Sequence, residues 1–283
     1  MLKRILLAVQ FHTVLPVKIS SGVSEKDMAG SVPFFPLAGA AQGFLLALPA
    51  IVFAHFFDRH TAGALALAVY IIASGGFDLD GLADTVDALS VKSCGDPEAD
   101  REKRLQIMKD SHVGAMGAIA ITVSILLKFV LVSGLIGMAG HLAGWAAFAL
   151  LFMMPAFSKW ATVPAMFHGK PARKDGLGRI FIGTTGAGDV AFASFLLACL
   201  YLTVFGLLSL AHGGPALNAS RVYMFLFLIA FLYAAVRAAL RVLTRNFGGL
   251  TGDHLGAITE AAEIAFLITA LLWLRLLPSM SGL

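Results

Sequence analysis

Apolar stretches recur along the chain, each close to the roughly 17 to 25 residues that cross a bilayer, and short polar connections separate them. They fall near residues 34–57, 61–77, 115–137, 141–166, 189–211, 222–244 and 257–278. The pattern predicts an all-α, polytopic integral membrane bundle of about seven transmembrane helices. The second stretch is short and ends in Gly75-Gly76, so its inner end runs straight into the polar segment that follows. No repeat and no linker divides the chain, so residues 1–283 read as one integral membrane domain, with the bundle over 33–283. The stretch from Met1 to Pro16 starts basic and is broken at Gln10 and His12. It lacks the form of a cleavable signal peptide and reads as a short interfacial or half-inserted helix.

Composition agrees with a membrane protein. Of 283 residues, 58% are hydrophobic and 13% charged, against about 25% charged in a soluble protein. That is too little polar surface to cover a soluble globule. The net charge of +4 is spread over loops, where it sets orientation and gives no reason to expect a nucleic-acid partner. Basic residues alternate from connection to connection. Lys3, Arg4, Lys18 and Lys26 precede the first span, and Arg59 stands alone after it. Lys92, Arg101, Lys103, Arg104 and Lys109 lie in the polar segment, and the turn near Gly140 has none. Lys170, Arg173, Lys174 and Arg179 follow, then Arg221 alone, then Arg245 with Arg237 and Arg241 just before it. The bias predicts a cytoplasmic N-terminus in a cytoplasmic (inner) membrane. The loops near 78–112, 168–188 and 245–256 then all face the cytoplasm. Cys94 and Cys199 are far apart and form no redox or metal motif.

The polar segment carries the chemistry. Nine of the chain's seventeen acidic residues lie from Asp78 to Asp110. In a helix, Asp80, Asp84 and Asp87 share one face at i, i+4 and i+7, while Leu79, Leu82, Ala83 and Val86 form a separate apolar stripe. Stacked carboxylates repel by a few tenths of a kcal/mol per pair, and a cation removes that cost. Oxygen donors without Cys or His point to Mg²⁺ or Mn²⁺ rather than zinc. The glycine- and arginine-bearing loops at 170–189 and 245–257 suit a phosphate, although such loops also serve as tight connections. Carboxylates, a divalent ion and Gly/Arg loops together form the apparatus of phosphoryl transfer. Arg237 and Arg241 either snorkel to headgroups or mark a site. Glu260 and Glu263 are positioned to pair with them or to join the metal. Lys159 is a secondary phosphate candidate, Lys128 has no assigned role, and the histidines read as structural because none shows ligand spacing.

These residues resemble one family closely. Gly76-Phe77-Asp78-Leu79-Asp80-Gly81-Leu82-Ala83-Asp84-Thr85-Val86-Asp87-Ala88 is similar to the G-x-H-x-D-G-L-A-D-T-x-D-G signature of cobalamin synthase (adenosylcobinamide-GDP ribazoletransferase). Arg104-Leu105-Gln106-Ile107-Met108-Lys109-Asp110-Ser111-His112-Val113-Gly114 resembles its R-x-x-I-M-K-D-S-R-x-G segment. Phe11-His12-Thr13-Val14-Leu15-Pro16 looks like its F-x-T-R-x-P, and Phe35-Pro36-Leu37-Ala38-Gly39 like the P-x-x-G that follows. The segments 172–178 and 248–257 match its later loops. The resemblance runs in order along almost the whole chain. Three positions depart from it: Asp78 replaces a histidine, and Val14 and His112 replace arginines. His112 carries full charge only below about pH 6.5.

The resemblance implies a membrane enzyme that joins adenosylcobinamide-GDP to α-ribazole or its 5′-phosphate, uses Mg²⁺ and releases GMP. It assigns Asp80, Asp84 and Asp87 to the metal, with Asp78 as a further ligand. Asp87 or Asp110 is the expected base. Lys109, Arg173 and Arg245 are expected on the diphosphate, and Arg104, Ser111 and Asp253 join the substrate-binding set. Membrane lipid surrounds the bundle, and a homo-oligomer is compatible with the chain. One alternative is a CDP-alcohol phosphotransferase, but Asp84 and Thr85 stand where its D-G-x-x-A-R pattern has alanine and arginine. Intramembrane prenyltransferases usually carry two aspartate clusters, and only one strong cluster is present here. A cation or substrate transporter would place its carboxylates near the bilayer midplane.

Overall fold

The computed structural model describes residues 1–19, 22–110, 112–138, 144–173, 176, 178–211 and 219–276. Among these the secondary structure is helical, with one isolated bridge between Pro171 and Leu250. The long helices are α3 (Phe35–Phe56), α7 (Ala115–Met138), α8 (Gly144–His168), α10 (Ala187–Ala211), α11 (Ala219–Phe247) and α12 (Gly252–Leu276). Each is long and apolar enough to cross a membrane. The shorter ones are α1 (Leu2–His12), α2 (Glu25–Ala29), α4 (Arg59–Ser74), α5 (Phe77–Leu89), α6 (Pro97–Ile107) and α9 (Gly178–Phe181).

Six spans are therefore present among the described residues, and seven if α4 and α5 count as one broken span. The expected second span does lead into the acidic helix, but through an 84° turn. α4 has 16 residues, about 24 Å of helix, short of a ~30 Å hydrocarbon core. It ends because Gly75 and Gly76 both adopt the left-handed conformation, at φ 70° and 68°. Their amides cap the carbonyls of Ile72 and Ile71. Two successive residues with a Cβ would resist that geometry.

α8 is the central post, its apolar span mostly buried inside the protein. α3, α10, α11 and α12 surround it, and Gly39 of α3 lies against the carbonyl of Pro155. α4 packs between α3 and α7, and α5 lies between α7 and α12. Large apolar side chains such as Phe44, Leu65, Ile119, Leu126, Phe195, Leu207, Phe227 and Leu272 point outward. That outward belt suits a protein solvated by lipid rather than water. α1 packs on α3 with Leu7, Ala8 and His12 buried, so the N-terminal segment is part of the bundle's end.

Candidate active site

The acidic helix α5 meets the first turns of α12 almost backbone to backbone. A Cβ added at Gly81 would stand 2.5 Å from the carbonyl oxygen of Asp253, and one at Gly256 would stand 3.1 Å from the Cα of Asp78. These glycines make the close crossing possible. It brings Asp80 and Asp84 of α5 into one electrostatic neighbourhood with Asp253 of α12, with Arg173 as the nearby cation.

A cavity of about 560 Å³ opens at this crossing. Its walls include Asp78 and Asp80 from α5, Lys159 and Thr162 from α8, Arg173 and Arg179 from the following loop and helix, and Thr251, Asp253 and Thr259 from the α12 side. Gln10, Phe11 and His12 close it from α1. Two loops are stitched together at its rim. Ala172 N donates to Leu250 O at 2.8 Å, and Leu250 N donates to Lys170 O at 2.7 Å. Arg173 Nη2 donates to Leu105 O at 2.7 Å, and Arg104 Nη1 to Asn246 O at 3.3 Å. The Nε atoms of both arginines are buried with no partner among the described residues. Unpaired buried donors of this kind favour an acceptor-rich ligand nearby.

The four signature aspartates do not converge. Asp78 forms a 2.6 Å ion pair with Lys159, which is buried. Asp87 turns away to the start of α7, where its two oxygens accept the amides of Gly114 and Gly117, each at 2.8 Å. A carboxylate there caps the helix and meets the positive end of its dipole. Asp80 lines the cavity, and Asp84 sits one turn further on, half-buried and outside the lining. Among the described residues, no three His, Cys, Asp or Glu side chains are gathered closely enough to hold a metal ion by themselves.

The other expected residues divide. Arg173 and Asp253 line the cavity, while Arg104 braces the end of α11. Lys109 and Asp110 occupy the turn after α6 and do not line it. Asp110 bonds to His112 Nδ1 at 2.6 Å, and hydrogen bonds from His112 hold its carboxyl below the usual range, which makes it a poorer base. Ser111 lies outside the described residues. Arg245 is exposed in a separate groove with His168, Arg237 and Arg241.

Two cavity residues carried little signal in the sequence. Lys159, a secondary phosphate candidate in the sequence, is the partner of Asp78. His12 is buried beside that pair, its Nδ1 2.8 Å from Ala8 O. Burial, reinforced by Lys159, lowers its pKa to about 3, so the imidazole stays neutral. The position of His12 inside the Phe11–Pro16 motif was the available clue.

Glu260 and Glu263 join neither the arginines of α11 nor the aspartates. Lys128 of α7, fully buried, bonds to Glu260 at 2.8 Å and to Glu263 at 3.0 Å. Ser124 donates to Glu260 at 2.5 Å, and Tyr70 donates to Glu263. The cluster ties α4, α7 and α12 together inside the bundle.

The cavity gathers carboxylates and guanidinium groups at one end of a bundle of membrane-crossing length. The family model described as Cobalamin-5-phosphate synthase matches residues 4–271. A curated protein of Thermodesulfovibrio yellowstonii, named Adenosylcobinamide-GDP ribazoletransferase, is 36% identical over 273 residues, covering 96% of this chain and 97% of the relative. Proteins of the same name from Geotalea daltonii and Roseiflexus sp. are each 32% identical, covering 95% and 93% of this chain and 97% and 87% of the relatives. No solved structure matches the chain. With the signature helix, the paired loops and the whole span of the bundle all matched, the chain belongs to the cobalamin-5-phosphate synthase family.

Proposed function

We propose that this protein transfers the cobinamide phosphoryl group of adenosylcobinamide-GDP to α-ribazole or its 5′-phosphate, releasing GMP. The observation that carries this reading is the α5–α12 crossing. It sets the signature carboxylates against Asp253 and Arg173, beside a cavity, in a chain matched by the family over residues 4–271. The cavity's size is that of a small-ligand site. It suits the nucleotide diphosphate, with the corrin ring left outside.

The donor set fits Mg²⁺ in the mode common to phosphoryl transfer, where one or two carboxylates bind the ion and substrate phosphates complete its shell. Asp80 and Asp84 would hold it, and the ion would neutralise charge on the diphosphate. Arg173 and Arg179 present the cavity's positive charge to the phosphates. The ribazole hydroxyl oxygen forms a bond to the cobinamide-side phosphorus, the bond from that phosphorus to the bridging oxygen breaks, and GMP leaves with the electron pair. The hydroxyl proton passes to a carboxylate. Asp78 is neutralised by Lys159 and both oxygens of Asp87 are engaged. With Asp80 and Asp84 given to the ion, Asp253 is left as the base.

Positive-inside bias supports a cytoplasmic location for this end of the bundle. The decisive experiment incubates purified protein with adenosylcobinamide-GDP, α-ribazole and Mg²⁺ and follows GMP. Stoichiometric GMP and a ribazole-bearing corrinoid are expected. GMP without the joined product, or no GMP at all, overturns the reading.

A further inference from the structure

A second polar groove, of about 500 Å³, lies outside the main cavity and is lined by His168, Arg237, Leu240, Arg241, Thr244 and Arg245. Arg237, Arg241 and Arg245 recur every four residues on α11, so they rise along one face of the helix. Like charges at that spacing destabilise a helix. All three are exposed, and among the described residues no carboxylate lies within ion-pair distance of any of them. The first is held in place by neutral partners. Arg237 Nη1 lies 2.8 Å from His168 Nδ1, and His168 Nε2 lies 2.7 Å from the Tyr233 hydroxyl. A guanidinium fixed in this way is oriented for a ligand, whereas a snorkelling side chain is free to follow any headgroup.

The groove's position narrows the ligand. His168 ends α8, and Arg245 is in the last turn of α11. The segments that follow these helices form the bridge between Pro171 and Leu250, at the rim of the main cavity. Tyr233 and Val242 are exposed beside the arginines, and Phe231 is exposed nearer the middle of α11. A cationic groove flanked by exposed apolar side chains, at the end of a span, matches the boundary between headgroups and acyl chains.

We propose that this groove binds the headgroup of an anionic phospholipid, with its phosphate held between Arg237 and Arg241 and flanked by Arg245. Guanidinium groups pair with phosphate oxygens bidentately, and basic recesses between transmembrane helices are suited to acidic headgroups. The bound lipid braces the ends of α8 and α11, and through them the bridge that carries Arg173. The site does not depend on the reaction assigned to the main cavity.

The test is lipid retention by the full-length protein, measured by native mass spectrometry and by displacement of a fluorescent phosphatidylglycerol. Protein in phosphatidylcholine nanodiscs containing phosphatidylglycerol is expected to retain one phosphatidylglycerol against excess phosphatidylcholine. The Arg237→Gln/Arg241→Gln variant should bind it roughly thirtyfold more weakly, from the loss of two basic side chains. An Arg237→Lys/Arg241→Lys variant, which keeps the charge, should retain the selectivity and supplies the test if the glutamine variant does not fold. Equal retention of both lipids by the wild type, or unchanged binding by a folded glutamine variant, overturns the proposal. So does displacement of the lipid by inorganic phosphate, which would make the groove a soluble-anion site.

Discussion

Asp253 and Glu260 lie seven residues apart on α12, about 10 Å along the helix, and their surroundings are opposite. Glu260, with Glu263, is closed off by Lys128 and by hydroxyl donors, and every partner is internal. Asp253 faces a cavity, its neighbours are other carboxylates, and Arg173 is the cation near it. The first cluster sets one buried cation and hydroxyl donors against its two carboxylates and holds helices together. The second leaves like charges facing one another, an arrangement that costs stability unless a ligand completes it. The contrast separates ionisable residues that build the bundle from those that act at its mouth.

The largest effect should come from breaking the closed cluster. Lys128→Met leaves two buried carboxylates without their cation and should destabilise the protein by about 3–5 kcal/mol, read as loss of the folded state in detergent unfolding. Adding Glu260→Gln and Glu263→Gln should recover most of the loss. Unfolding of Lys128→Met indistinguishable from wild type would erase the distinction between the two clusters.

The open cluster should respond in rate. Asp84→Asn or Asp80→Asn should lower GMP release at limiting Mg²⁺ by at least about a hundredfold. Stability should hold or rise by a few tenths of a kcal/mol as repulsion is relieved. Near-normal turnover in both variants would remove the metal-carboxylate reading.

Gly81→Ala tests the crossing that assembles the site. Its Cβ would meet the Asp253 carbonyl at 2.5 Å, so the helices must separate, at about 1–3 kcal/mol. Turnover should fall with it. Asp87→Asn sharpens the split within the signature itself. It should cost about 1 kcal/mol by weakening the cap on α7, with a smaller loss of turnover than Asp84→Asn. Smallest of all, Glu25→Gln removes an exposed 3.5 Å pair with Arg179 and should change stability by less than about 0.5 kcal/mol.

Much of this molecule was legible residue by residue. The expected spans match α3, α7, α8, α10 and α11 to within about three residues at each end; α12 begins five residues early, because Gly252 to Gly256 pack on α5. The end of the second span at Gly75-Gly76 was visible as well, but the 84° turn made there was not. The ligand set was less legible. Helical spacing put Asp80, Asp84 and Asp87 on one face, but Asp87 answers to Gly114 and Gly117 of another helix. Asp78 answers to Lys159, 81 positions away, and Lys128 to Glu260, 132 positions away.

The sequence by itself determined the membrane class, the order of the spans, the acidic helix and the family, because hydropathy and motif spacing are properties of neighbouring residues. Only the tertiary structure decided which carboxylates are neutralised and which stay open, and that Arg245 lies in a groove apart from the cavity. Those outcomes depend on which helices cross and how closely, and a charge in a low-dielectric bundle takes its character from partners brought to it across the fold.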